Sequence, residues 1–300
     1  MSTTQRPKKS APKVTTRKNG TVRKNRPTNT KRNSRKTRSS SKRFVLWKIA
    51  LWAIAIILFL SVAFYFIFID SHSFRWRAVY GEAKYPAGYE IHGIDISRYQ
   101  ETIDWELVRN AQLDTFPVQF VFIKATEGEE LVDSYFKQNF TKAKENNLIR
   151  GAYHFFIPGV DPEKQAQSFI SQVQLQAGDL PPVLDVEKDG RLSKKELREA
   201  VKKWLDIIEK EYRVKPIIYT GHKFKMKYLN TPIFNNYPNW IAHYYIDSLE
   251  FNGNWSFWQH TDYGKVNGIN GPVDCNVFNG SIEELMALTI PDTTATSDIQ

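Results

Sequence analysis

From Ile91 to Asn276 short apolar runs alternate with longer stretches of helical period, and this alternation confines the chain to parallel-sheet α/β architecture. Eight runs have strand length and composition: Ile91–Ile96, Gln119–Ala125, Ile149–Phe156, Val183–Val186, Pro216–Thr220, Trp240–Tyr244, Ser256–His260 and Val273–Asn276. Eight such strands suggest closure into a TIM-like barrel. Asp133–Asn147 places Phe136, Phe140 and Ala143 on one helical face, and Asp161-Pro162 opens a helix carrying Phe169, Ile170 and Val173. Ser193-Lys194-Lys195-Glu196 is a capping box before a helix that buries Leu197, Val201, Trp204, Leu205 and Ile208. Beyond Tyr219 the gaps are short or rich in Asn, Gly and Pro. The barrel is therefore expected to be irregular, with fewer helices than strands. Ser281–Leu288 reads as a last short helix, which bounds the barrel at residues 91–288 and leaves 289–300 as a flexible tail.

The first third is different in kind. Residues 1–43 hold 16 Lys and Arg and no acid, with almost nothing to bury, so they are expected to be a disordered tail. Phe44 to Ile69 is apolar except for Lys48 and Ser61, long enough to cross a bilayer, with Trp47, Trp52 and Tyr65 toward its ends. The apolar run continues past a cleavage-like Ser61-Val62-Ala63, which favours an uncleaved single-pass anchor over a removed signal. The basic flank precedes the span and only Arg75 and Arg77 follow it closely, so the N-terminus is expected in the cytoplasm and the C-terminal domain outside the cell membrane. Residues 70–90 are then a linker.

The overall charge of +10 conceals an acidic folded part, because from Asp70 onward 25 basic side chains face 32 acidic ones. That balance argues against nucleic acid as a partner of the folded domain. Cys275 is the only cysteine, so no intrachain disulfide can form.

The chemistry concentrates at strand ends. In Pro181-Pro182-Val183-Leu184-Asp185-Val186-Glu187 two carboxylates follow a buried strand at a spacing of two. Side chains on a strand alternate between faces, so Asp185 and Glu187 emerge on the same side, roughly 6 to 7 Å apart along the backbone. In a half-buried cleft two such groups cannot both ionise freely, and one is pushed toward the protonated form of a general acid. Asp95 ends the first strand, Glu127 follows the second and Asp274 lies in the last. Barrels carry their chemistry at that rim. With one cysteine and no H-E-x-x-H pair among six histidines, neither metal nor other cofactor is implied.

Residues 91 to 280 resemble glycoside hydrolase family 25, the lysozymes (N-acetylmuramidases) that cleave bacterial peptidoglycan. The resemblance runs through ordered motifs: Gly93-Ile94-Asp95-Ile96-Ser97 with Gln100 and Ile103-Asp104-Trp105, Phe122-Ile123-Lys124-Ala125-Thr126-Glu127-Gly128, and Gly151-Ala152-Tyr153-His154-Phe155. Leu184-Asp185-Val186-Glu187, Trp240-Ile241-Ala242 with Tyr244, Trp258-Gln259 and Val273-Asp274-Cys275-Asn276 follow in the same order. His260 departs from it, where the family more often has an aromatic residue. The resemblance implies an irregular β/α barrel that cuts the β-1,4 bond between N-acetylmuramic acid and N-acetylglucosamine, with a monomeric catalytic domain. It makes Glu187 the general acid. Asp185 would either orient the substrate's 2-acetamido group as that group attacks, or act directly on the oxocarbenium-like transition state. Asp95 and Asp274 would flank the cleft floor. Tyr153, Tyr219, Trp240, Tyr244 and Trp258 are candidates for stacking on sugar rings, with Gln259 beside them.

Two other readings compete with a membrane-anchored hydrolase. A non-catalytic glycan-binding scaffold could use the same cleft, but a binder has no need of clustered, mutually repelling acids. The basic tail could itself bind nucleic acid or anionic lipid; a topology signal is the simpler account.

Overall fold

The computed structural model describes residues 38–64, 85–251 and 253–292. Residues 1–37 of the tail expected at 1–43, the end of the apolar run from Tyr65, the linker as far as residue 84 and the last eight residues lie outside them, while 38–43, expected to be disordered, are helical. The chain divides after Tyr65 into two units. In the first, α1 (Arg38–Phe64) is a single helix, and its residues 43–64 are long and apolar enough to cross a membrane. It begins six residues ahead of the apolar run, because no Pro or Gly between Arg38 and Phe44 stops it.

In the second unit eight strands form a closed ring: β1 (Ile91–Ile96), β2 (Phe116–Glu127), β3 (Ile149–Phe155), β4 (Val183–Asp185), β5 (Ile217–Gly221), β6 (Asn239–Ala242), β7 (Phe257–Gly264) and β8 (Val273–Phe278). Each of the first six pairs in parallel with the next. The last one, β8, runs antiparallel to both β7 and β1 and closes the barrel between them. Its direction follows from the connection. Only Lys265 to Pro272 separate β7 from β8, and a parallel return needs a crossover of a dozen residues or more.

Helices follow the first four strands in turn: α2 (Trp105–Arg109), α3 (Phe136–Glu145), α4 (Pro162–Gln172) and α5 (Lys194–Tyr212). After β5 come only short turns over His222–Phe224, Lys225–Leu229 and Pro232–Asn235, and α6 (Ile282–Leu288) follows β8. Among the described barrel residues the helices are thus fewer than the strands, as the thinning of helical period beyond Tyr219 predicts. α5 starts where its capping box requires, with Ser193 Oγ accepting from Glu196 N and the Glu196 carboxylate accepting from Ser193 N. Its Leu197, Val201, Trp204, Leu205 and Ile208 are fully buried against the outer face of the sheet.

The inner face is a separate core. Alternate residues of each strand point inward, and at the closed end Ile91, Phe120, Phe122, Val183, Ile217, Trp240, Phe257 and Phe278 fill the lumen. Phe122 lies 4.4 Å from Trp240, centroid to centroid, and Phe120 lies 5.3 Å from Phe257. Such rings need room on neighbouring strands. A Cβ on Gly93 would come within 2.4 Å of Phe120, and one on Gly151 within 2.6 Å of Phe122. Glycine at these two inward positions lets the aromatic plug form, and the polar residues rest on top of that plug.

Candidate active site

Following the inward register toward the open end, the lining changes from aromatic to acidic. Asp95 lies two residues beyond Gly93 on β1 and pairs in register with Asp274 on β8. Because β8 is reversed, Asp274 near its start reaches the same rim as the ends of the parallel strands. Asp95 is buried, and its Oδ2 accepts hydrogen bonds from Gln259 Nε2 at 2.7 Å and Asn276 Nδ2 at 2.8 Å.

Both amides are held from behind. The hydroxyls of Tyr219 and Tyr244 donate to Gln259 Oε1 at 2.7 and 2.6 Å, which leaves the amide nitrogen to face Asp95. An indole N–H can only donate, so Trp240 Nε1 on Asn276 Oδ1 at 2.8 Å orients the second amide in the same way. Burial pushes the Asp95 carboxyl up to about 6 against these donors, and the charge of Glu187 adds to the rise. Burial also holds Asp274 well above the usual carboxylate range, reinforced by the charges of Asp95, Asp262 and Glu187.

Asp185 closes β4, and the extended backbone continues past it, with Val186 N donating to Tyr219 O and Phe156 N to Asp185 O. The same-face geometry expected for Asp185 and Glu187 is therefore available, but the two sit in different surroundings. Asp185 is 6% exposed, and among the described residues nothing donates to its Oδ1. Burial pushes it well above the carboxylate range, Glu187 adds to that, and the Lys124 ammonium opposes it. Glu187 is open to solvent although protein walls surround it. Burial raises it, while Lys188, the Tyr219 hydroxyl and Lys124 pull it down.

Lys124 is a site residue that strand-end reasoning passes over. It occupies the inward position after Phe120 and Phe122 on β2, pairs with Glu127 at 2.6 Å and lies 4.8 Å from the Phe155 ring centroid. The period-two step from two phenylalanines to a lysine was the available signal. Asn276 carried the same kind of signal, two residues after Asp274.

The aromatic candidates divide. Tyr153 and Tyr244 are partly exposed at the mouth, and burial together with the Asp95, Asp185 and Asp274 charges holds the Tyr153 hydroxyl well above its ordinary range. Tyr219 and Gln259 are buried and act on Asp95 as described. Trp240 and Trp258 are corrections. Trp240, 2% exposed, is sandwiched with Phe122 and Tyr219, while Trp258 is fully buried on the outer face of the sheet with Ile241, Leu249 and Val277, its indole donating to His243 O. Neither presents a ring face to a sugar, because the strand register turns one into the plug and the other away from the lumen. No group of three or more His, Cys, Asp or Glu among the described residues is arranged to hold a metal.

A barrel with a crowd of carboxylates at its mouth, their proton affinities raised by burial and by one another, is the equipment of a glycoside hydrolase. Residues 94–269 match Glycosyl hydrolases family 25. The chain belongs to that family. It is 52% identical to the protein YegX of Escherichia coli (strain K12) over 218 residues, 72% of this chain and 80% of that one. With Lysozyme M1 of Streptomyces globisporus it shares 32% identity over 213 residues, 66% of this chain and 71% of the relative. Among solved structures, a family 25 glycosyl hydrolase from Bacillus anthracis superimposes with a TM-score of 0.62 at 34% identity, covering 69% of this chain and 97% of that one.

Proposed function

We propose that the chain is a membrane-anchored muramidase that cleaves the β-1,4 bond between N-acetylmuramic acid and N-acetylglucosamine in peptidoglycan. Lysozyme M1 and the N,O-diacetylmuramidase of Chalaropsis sp. among its relatives support that substrate class. The observation that carries the reading is the unequal pair at the end of β4: a buried Asp185 with an unpartnered oxygen beside a solvent-open Glu187. Glu187 is the general acid that protonates the leaving oxygen. The N–H of the substrate's 2-acetamido group supplies the donor that Asp185 Oδ1 lacks. A donor there stabilises the anion, so Asp185 gives up its claim on the proton as substrate binds and the proton resides on Glu187. Anionic Asp185 then supports the acetamido oxygen as it attacks the anomeric carbon, and water opens the resulting ring with net retention.

Digestion of purified peptidoglycan by the full chain in detergent tests this. Borohydride reduction and mass spectrometry should find muramic acid at the new reducing ends, with the β-anomer appearing first by NMR. Binding without new reducing ends would leave a scaffold, and the α-anomer first would mean inversion.

α1 carries the proposal on location: one span, basic N-terminus in the cytoplasm and a monomeric catalytic domain outside. Protease added to intact spheroplasts should degrade the barrel; its protection would reverse the topology.

A further inference from the structure

The turn that follows β1 holds an aromatic ring in solvent for which neither the fold nor the site described above has a use. Tyr99 is 75% exposed, and among the described barrel residues it is the one aromatic side chain more than about a third exposed. Its backbone is the opposite of loose. Ser97 Oγ accepts from Tyr99 N at 3.3 Å, Gln100 Oε1 accepts from Ser97 N at 2.9 Å, and Gln100 Nε2 donates to Pro272 O at 3.2 Å. On the other side Arg98 N donates to Oδ2 of the buried Asp133 at 2.8 Å. These ties place the turn. Pro272 leads into β8, whose Asp274 is at the mouth, and Asp133 follows a two-residue strand, Leu131–Val132, paired with Thr126 and Glu127 at the end of β2. The turn is stapled to the rim on both flanks of β1, four residues beyond Asp95. In the ring of eight strands β1 lies opposite β5, so Tyr99 stands across the mouth from the Tyr219 and Glu187 side.

We propose that the Arg98-Tyr99 turn is an outlying sugar subsite, in which Tyr99 stacks on a pyranose ring of the glycan strand beyond the two residues flanking the cleaved bond. The inference rests on the muramidase reading for its ligand. A rigid turn loses little conformational freedom when it binds, so the apolar face of a sugar gains contact with an aromatic face at small ordering cost. The Arg98 guanidinium, 5.6 Å from the Tyr99 ring centroid, adds donors for ring hydroxyls at the edge of the stack.

The experiment compares glycan strands of four sugars with strands of ten or more, prepared from peptidoglycan, using the full chain in detergent. For Tyr99→Ala the ratio of kcat/KM on long over short strands should fall about three- to tenfold, the range of an aromatic stack, mostly through KM. Tyr99→Phe, which keeps the ring, should retain the wild-type ratio. An unchanged ratio in Tyr99→Ala, an equal loss on both substrates, or an equal loss in Tyr99→Phe would overturn the subsite. Co-sedimentation with intact sacculi separates this idea from the function it rests on. If the wild-type chain hydrolyses nothing, the muramidase reading fails, yet Tyr99→Ala sedimenting more weakly than wild type still supports the subsite and equal sedimentation removes it.

Discussion

Asp95 and Asp274 face each other across the antiparallel pairing of β1 with β8, where burial holds both carboxyls above the usual carboxylate range and the charge of Asp95 adds to the rise at Asp274. A carboxyl raised in the fold favours the protonated state, so its contribution to stability is complete below about pH 4 and is lost as pH rises through about 6. For Asp95 the loss at neutral pH is roughly 2–3 kcal/mol. Asn at position 95 can keep both hydrogen bonds, its oxygen accepting from Gln259 and Asn276. Asp95→Asn should therefore melt several degrees higher than wild type at pH 7.5, with the gain vanishing near pH 4, while muramidase activity falls. Calorimetry across that range checks it, and a variant less stable at pH 7.5 would contradict the cost assigned to ionising Asp95 in its buried position.

Glu187→Gln preserves shape and removes the transferable proton. Because Glu187 is open to solvent, folding should be untouched, with stability within about 0.5 kcal/mol of wild type. Turnover should drop roughly 10²-fold or more while sacculus binding persists. Activity near the wild-type level would take the role of acid away from Glu187.

Lys124 lowers the proton affinity of both Asp185 and Glu187. In Lys124→Met both rise. The alkaline limb of the kcat profile, which reports the substrate complex and is set by loss of the Glu187 proton, should move to higher pH, and the acid limb, set by ionisation of Asp185, should move the same way. A profile that stays in place or shifts down would show that Lys124 does not act on the pair.

Gly93→Ala tests the plug beneath the site. The added methyl meets Phe120 at 2.4 Å, and that ring is already packed against Phe122 and Phe257. Overpacking should cost about 1–3 kcal/mol in urea unfolding, with a loss of activity because Asp95 is two residues away on the same strand. Unaltered stability would mean that the lumen has slack.

Strand and helix periods, capping boxes and turn residues are local, so the amino-acid sequence by itself determined the alternating architecture, the buried face of α5 and the apolar helix. Even the reversal of β8 was latent in the eight residues available for its connection. Which strands become neighbours is not local. Only closure of the barrel set Asp274 against Asp95 and aimed Gln259 and Asn276 at one carboxylate oxygen. An aromatic residue has the same apolarity in a core and on a ligand platform. Strand register therefore decided that Trp240 became plug and donor and that Trp258 faced outward, while the turn after β1 left Tyr99 in the open. Lys124 gained its influence in the same way, since a charge acts through distance and dielectric, and both arise when separate strands meet around a shared, partly dry mouth.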